Sequence, residues 1–131
     1  MIIDKKILDT LSQQAKANPR LRQAFDLRIT PEDQSQRILN AVEPGTILPI
    51  HRHRNTSETM VMVRGKLIER FYDDNGNITD EFVMEPCGEY AMVQIENGQW
   101  HSLEVLEEGT VIFEAKDGVY EPISDNDIMK K

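Results

Sequence analysis

The chain has 131 residues, with 15 basic against 23 acidic side chains and a net charge of −8. That length suits one domain with a continuous core, and the negative balance argues against nucleic acid, whose binding rests on Lys and Arg neutralising phosphates. A single cysteine, Cys87, excludes an internal disulfide and points to a reducing compartment.

The N-terminal stretch MIIDKKILDTL has acidic residues early and no uninterrupted apolar core, so no signal peptide is expected. No apolar run approaches membrane-spanning length either. The expectation is a cytoplasmic protein that engages no membrane. Residues 4–18 predict one helix, because Ile7, Leu8, Leu11 and Ala15 form a narrow apolar stripe, Asp4 suits an N-cap and Asn18-Pro19 a stop. So narrow a stripe packs on the flank of the fold or on a second subunit. Arg20 to Pro31 stays open between a short turn and a strand.

From about residue 37 the pattern becomes short strands separated by turn residues, as in a sandwich or barrel. Strands are predicted over 37–43, 59–64, 66–72, 78–84, 90–95, 100–105 and 110–116. Asp73-Asp74-Asn75-Gly76 is the clearest hairpin signal, since Asn-Gly accommodates a tight two-residue turn. The polar tail from Asp117, ending SDNDIMKK, is expected to fray. The chain thus divides into an N-terminal helical extension (1–36) packed on a β-barrel (37–131).

The segment Gly45 to Gly65, GTILPIHRHRNTSETMVMVRG, holds two of the chain's three histidines, His51 and His53, followed by Glu58. The third, His101, follows Gly98. Parity places Glu58 with Met60 and Met62, and His101 with Leu103 and Val105, on the more apolar faces of their strands. An imidazole or carboxylate aimed into an apolar interior is costly unless something satisfies it. A divalent transition metal (Fe, Zn, Ni or Mn) bound by His51, His53, Glu58 and His101 would do so. The bland alternative is a polar surface loop, to which Arg52, Arg54, Asn55 and Thr56 would belong.

Arg52, Arg64, Tyr90 and Trp100 are the substrate-contact candidates: the arginines could steer an anion, and the aromatics could line a pocket. Their structural alternatives are surface solvation for the arginines and, for Trp100, packing between the barrel and the helix. Cys87 reads as a buried turn residue rather than a reactive thiol.

The spacing Gly45, five residues, His51-x-His53, four residues, Glu58, six residues, Gly65 resembles the first motif of the cupin superfamily. Gly88 and Gly98-Gln99-Trp100-His101 resemble the second, with an interval two residues longer, no proline, and Val105 where asparagine is usual. ILDTLSQQAKANPRLR, RILNAVEPGT, the FYDDNG hairpin, GQWH and TVIFEAKDGVYEP extend the resemblance to WbuC-like cupin metalloproteins over nearly the whole chain. The resemblance implies an all-β cupin (jelly-roll) barrel with one N-terminal helix, a metal-binding site, pairing into a homodimer, and an association with surface-polysaccharide synthesis.

Three roles fit such a site. One is a metal-dependent enzyme on a small polar substrate, an isomerase, epimerase or oxygenase. The second is a non-catalytic metal-assisted binding module. The third is a scaffold braced by its metal.

Overall fold

Helix α1 (Lys5–Ala17) begins where Asp4, in extended backbone, accepts a hydrogen bond from Ile7 N at 3.0 Å. It ends at Asn18, whose side chain accepts from Arg20 N at 2.8 Å. The computed structural model describes residues 1–130. Among them, strands β1 (Arg22–Asp26), β2 (Ser35–Val42), β3 (Glu58–Arg64), β4 (Leu67–Tyr72), β5 (Ile78–Met84), β6 (Met92–Ile95), β7 (Trp100–Val105) and β8 (Thr110–Asp117) follow. The stretch left open in the sequence becomes β1, whose Phe25 pairs with Leu39 of β2.

The strands form two antiparallel sheets, one in the order β1-β2-β8-β3-β6 and the other β5-β4-β7. They face each other as a jelly roll but do not close into one barrel: the ladders end at β1 and β6, and at β5 and β7. This corrects the expected closed barrel. Alternating apolar positions dictate which face of a strand is buried, but they do not dictate whether two sheet edges join.

Two cores result. Outside the five-stranded sheet, Leu11 and Ala15 of α1 pack on Leu39, Ala41 and Val111, flanked by Phe25 and Phe113. Between the sheets, Met60, Met62 and Ile112 meet Leu67 and Met84, with Phe82 and Leu103 beside them. The methionines fill this interior as adaptable apolar side chains.

Three local expectations change. The β4–β5 hairpin is a five-residue loop, Asp73 to Asn77, instead of a two-residue turn, because the Asp73 carboxylate accepts from Asn75 N and Asn77 N, both at 2.9 Å. Cys87 is exposed rather than buried, in a corner where it takes a φ of +60°. The tail is docked up to Met129 instead of frayed; Lys131 lies outside the described residues. Arg52 N donates to Asp127 O at 3.0 Å and Met129 N to Ile50 O at 2.8 Å. The Asp127 carboxylate also pairs with both Arg52 and Arg54. Polarity made this segment look solvated, yet its one carboxylate is what two basic residues flanking His53 require. Asp127→Ala should therefore speed amide hydrogen exchange at Arg52 and Met129 while leaving α1 unchanged; unaltered exchange at both would refute the tether.

No helix among the described residues is long and apolar enough to cross a membrane.

Candidate metal centre

Three segments meet at one end of the space between the sheets. His51 and His101 exchange both backbone bonds, His51 N to His101 O at 3.1 Å and His101 N to His51 O at 2.9 Å. In an antiparallel pair of this kind the two side chains project from the same face as close neighbours. Their ring centroids stand 4.3 Å apart. His53, two residues on, is anchored through its carbonyl, which accepts from Gly98 N at 2.7 Å. One nitrogen from each of His51, His53 and His101 falls within 4.8 Å of the others.

The protonation of the rings follows from their partners. The Nδ1 atoms of His51 and His101 each lie 2.9 Å from a backbone carbonyl, of Pro49 and Gln99. A carbonyl only accepts, so Nδ1 carries the hydrogen and, in a neutral ring, Nε2 keeps its lone pair. Burial, reinforced by His101, pushes the His51 imidazole down to about 4, and burial also lowers His101. The Nε2 atoms of His53 and His101 are buried with no hydrogen-bond partner. His51 and His101, fixed by carbonyls and held neutral by burial, converge with His53, and such a set of imidazole nitrogens fits a transition-metal ion.

Glu58 lies beside this triad on the inner face of β3, its Oε1 3.3 Å from His53 Nε2 and 3.3 Å from Lys116 Nζ. Burial opposes its ionisation, but His53 and the Lys116 ammonium outweigh that and hold the carboxyl well below the usual range. It is an anion at neutral pH.

The substrate-contact candidates scatter. Arg52 lies over the Trp100 ring, 4.2 Å from its centroid, and pairs with Asp127. Trp100 donates to Asp74 at 3.1 Å. Its strand belongs to the three-stranded sheet, whereas α1 covers the other sheet, so Trp100 does not pack against the helix. Arg64 ends β3 six residues from Glu58, or about 20 Å along the strand, and binds Asp9, Ser12 and the Gly109 carbonyl. Tyr90 is exposed but packs edge-on against Phe82, which meets Phe71, the cross-strand partner of His101.

Sequence reasoning missed the polar interior beyond the triad. Lys116 also approaches Glu114 at 3.7 Å, and Asn40 donates to Glu114 at 3.1 Å. Burial and the Glu58 charge push the Glu114 carboxyl up. Burial works against the Lys116 ammonium, but Glu58 and Glu114 outweigh it and raise its pKa. Glu69 is buried on β4. A signal existed: Glu114 and Lys116 share parity with Ile112, and Glu69 with Leu67, so charged residues occupied core positions. The parity that marks Glu58 on β3 and His101 on β7 as inward-facing marks these residues in the same way.

A family model described as Domain of unknown function (DUF6016) matches residues 3–84. No curated protein matches the chain. Among solved structures, KdgF from Halomonas sp. is similar with a TM-score of 0.62 at 13% identity, over 77% of this chain and 82% of that one. The capsular polysaccharide assembling protein CapF from Staphylococcus aureus is similar with a TM-score of 0.63 at 24% identity, over 86% of this chain and 32% of that one. The chain thus spans about a third of CapF. CapF has also been solved with an inhibitor, 3-isopropenyl-tropolone. The cupin domain of Cnp3 from Schizosaccharomyces pombe is similar with a TM-score of 0.59 at 11% identity, over 74% and 64% of the two chains. These likenesses establish the cupin fold.

Proposed function

We propose that this chain, which belongs to the family described as Domain of unknown function (DUF6016), is a metal-dependent enzyme of cupin fold acting on a small polar substrate. The observation that carries this reading is the pair of buried, unpartnered Nε2 atoms on His53 and His101, converging with His51. His51, His53 and His101 would hold one divalent ion, with Glu58 as the adjoining carboxylate. Such an ion supplies Lewis-acid polarisation of a carbonyl or hydroxyl oxygen, or oxygen chemistry if it is iron.

The chain's own residues set the rest. The Pro49 and Gln99 carbonyls fix the tautomers of His51 and His101, and His53 together with Lys116 keeps Glu58 ionised. Arg52 and Trp100, stacked beside the HxH segment, are the rim contacts for a substrate. The polysaccharide-related name of CapF supports a sugar derivative in surface-polysaccharide metabolism, as does the resemblance to WbuC-like cupins. Homodimer formation belongs to the same proposal and is checked by light scattering. A metal-assisted binding module without turnover is the second reading, favoured because Glu58, the carboxylate beside the histidines, is already held by His53 and Lys116 and so offers no free base.

Mass-spectrometric metal analysis of tag-free protein tests the proposal. The parent should carry about one equivalent of a divalent ion, and the His51→Ala/His53→Ala double variant almost none. A parent that cannot be loaded with divalent ions sinks the metal reading.

A further inference from the structure

The inner face of the three-stranded sheet carries a carboxyl that the ligand set does not use. Glu69 is 1% exposed, and neither of its oxygens has a hydrogen-bond partner. Its direction follows from register. Glu69 lies opposite Leu103 of β7 and Phe82 of β5, while Phe71, two residues on, lies opposite His101. Residues in register share a face, so Glu69 stands diagonal to His101, a relation that spans about 7–8 Å and is within reach of long side chains. The charged groups that act on it come from two strands, Glu58 of β3 and Glu114 of β8.

We propose that Glu69 is a substrate-contact residue, the hydrogen-bond donor to the oxygen of a carbonyl-type ligand seated beside the three histidines. The inference rests on the reading of the histidines as a metal seat and adds the ligand class: a small molecule presenting a carbonyl oxygen, or the oxyanion derived from it. Burial, with Glu58 and Glu114 adding to it, pushes the Glu69 carboxyl well above its usual range and so favours its protonated form. A neutral carboxyl offers one O–H, and among the described residues this one finds no acceptor. Left unanswered, such a donor only destabilises the fold. Answered by a ligand oxygen in a water-poor interior, it favours negative charge developing on that oxygen. No proton needs to leave Glu69: the hydrogen bond strengthens as the charge grows.

The test uses tag-free, metal-loaded protein and tropolone, a chelating hydroxyketone whose absorbance changes on coordination. Glu69→Leu should keep the parent's metal content, melt no lower than the parent, and bind tropolone about tenfold or more weakly. Glu69→Gln, which keeps an N–H donor, should stay within about threefold of the parent. In the infrared spectrum, the parent's protonated-carboxyl band should shift when tropolone binds, and Glu69→Gln should lack that band.

Unchanged tropolone binding by Glu69→Leu overturns the inference. So does loss of metal together with tropolone, which would make the carboxyl a ligand or a brace, and so does a metal-loaded parent that ignores tropolone. A parent that takes up no metal removes the underlying reading and the inference with it. A metal-loaded parent whose tropolone binding is indifferent to Glu69 removes the inference alone.

Discussion

Lys116→Met is expected to lower the unfolding free energy of the metal-free protein by about 3–5 kcal/mol, the cost of removing one partner from a buried ionic cluster. Lys116 lies 3.3 Å from Glu58 and 3.7 Å from Glu114, with side-chain exposures of 14%, 5% and 15% for the three residues. Its ammonium approaches the carboxyls of both Glu58 and Glu114. Methionine preserves most of the volume, so the loss reports charge rather than a cavity. Urea unfolding at neutral pH measures it, and a variant within about 1 kcal/mol of the parent would refute the assignment. Adding Glu114→Gln should recover part of the loss, since one unpaired carboxylate then disappears.

The pH dependence has a definite sign. Lys116 has a raised folded pKa, so its contribution is complete at neutral pH and is lost only as alkali deprotonates the folded form. Glu58 has a depressed folded pKa, so its contribution is present above the ordinary carboxylate range and is lost as the pH falls through the folded value. The gap between parent and Lys116→Met should therefore be widest near neutrality and close in strong acid and strong alkali.

Gly65→Ala is expected to cost about 2–5 kcal/mol, combining backbone strain with overpacking. Gly65 joins β3 to β4 at a φ of +85°, and a Cβ built there would stand 2.5 Å from Thr110 Cα and 2.7 Å from Thr110 Cβ. Thr110 cannot retreat: it is fully buried and its hydroxyl donates to the Glu107 carbonyl at 2.7 Å. Gly98→Ala is the control, because Gly98 has a similar φ of +84° but nothing within 4 Å of the added methyl. It should lose only the strain, about 1 kcal/mol. Equal losses in the two variants, read by thermal and urea unfolding, would mean that the contact with Thr110 is immaterial.

The histidine cluster was legible because its signal is local. Two histidines one residue apart share parity, Glu58 shares parity with Met60 and Met62, and His101 with Leu103 and Val105. The helix was equally legible, since its cap, stripe and stop lie within sixteen consecutive residues and depend on nothing distant. The substrate-contact candidates were chosen by residue type, and type does not report partners. Arg64 resembled a free cation until Asp9, fifty-five positions earlier, came to lie beside it.

By itself, then, the sequence determined the helix, most of the strands and the inward parity of Glu58 and His101, which follow from periodicity along one chain direction. The jelly-roll class and the meeting of His51 and His53 with His101 were legible through the resemblance to the cupin motifs. Only the tertiary structure decided that the sheets stay unclosed, that Trp100 lies in the sheet α1 does not cover, and that Asp127 ties the C-terminal segment to the HxH segment. It alone placed Lys116, Glu114 and Glu69 around the same interior as the histidines. These are pairings between segments far apart in sequence, fixed by strand register and by the mutual neutralisation of buried charges, and local patterning carries no record of either.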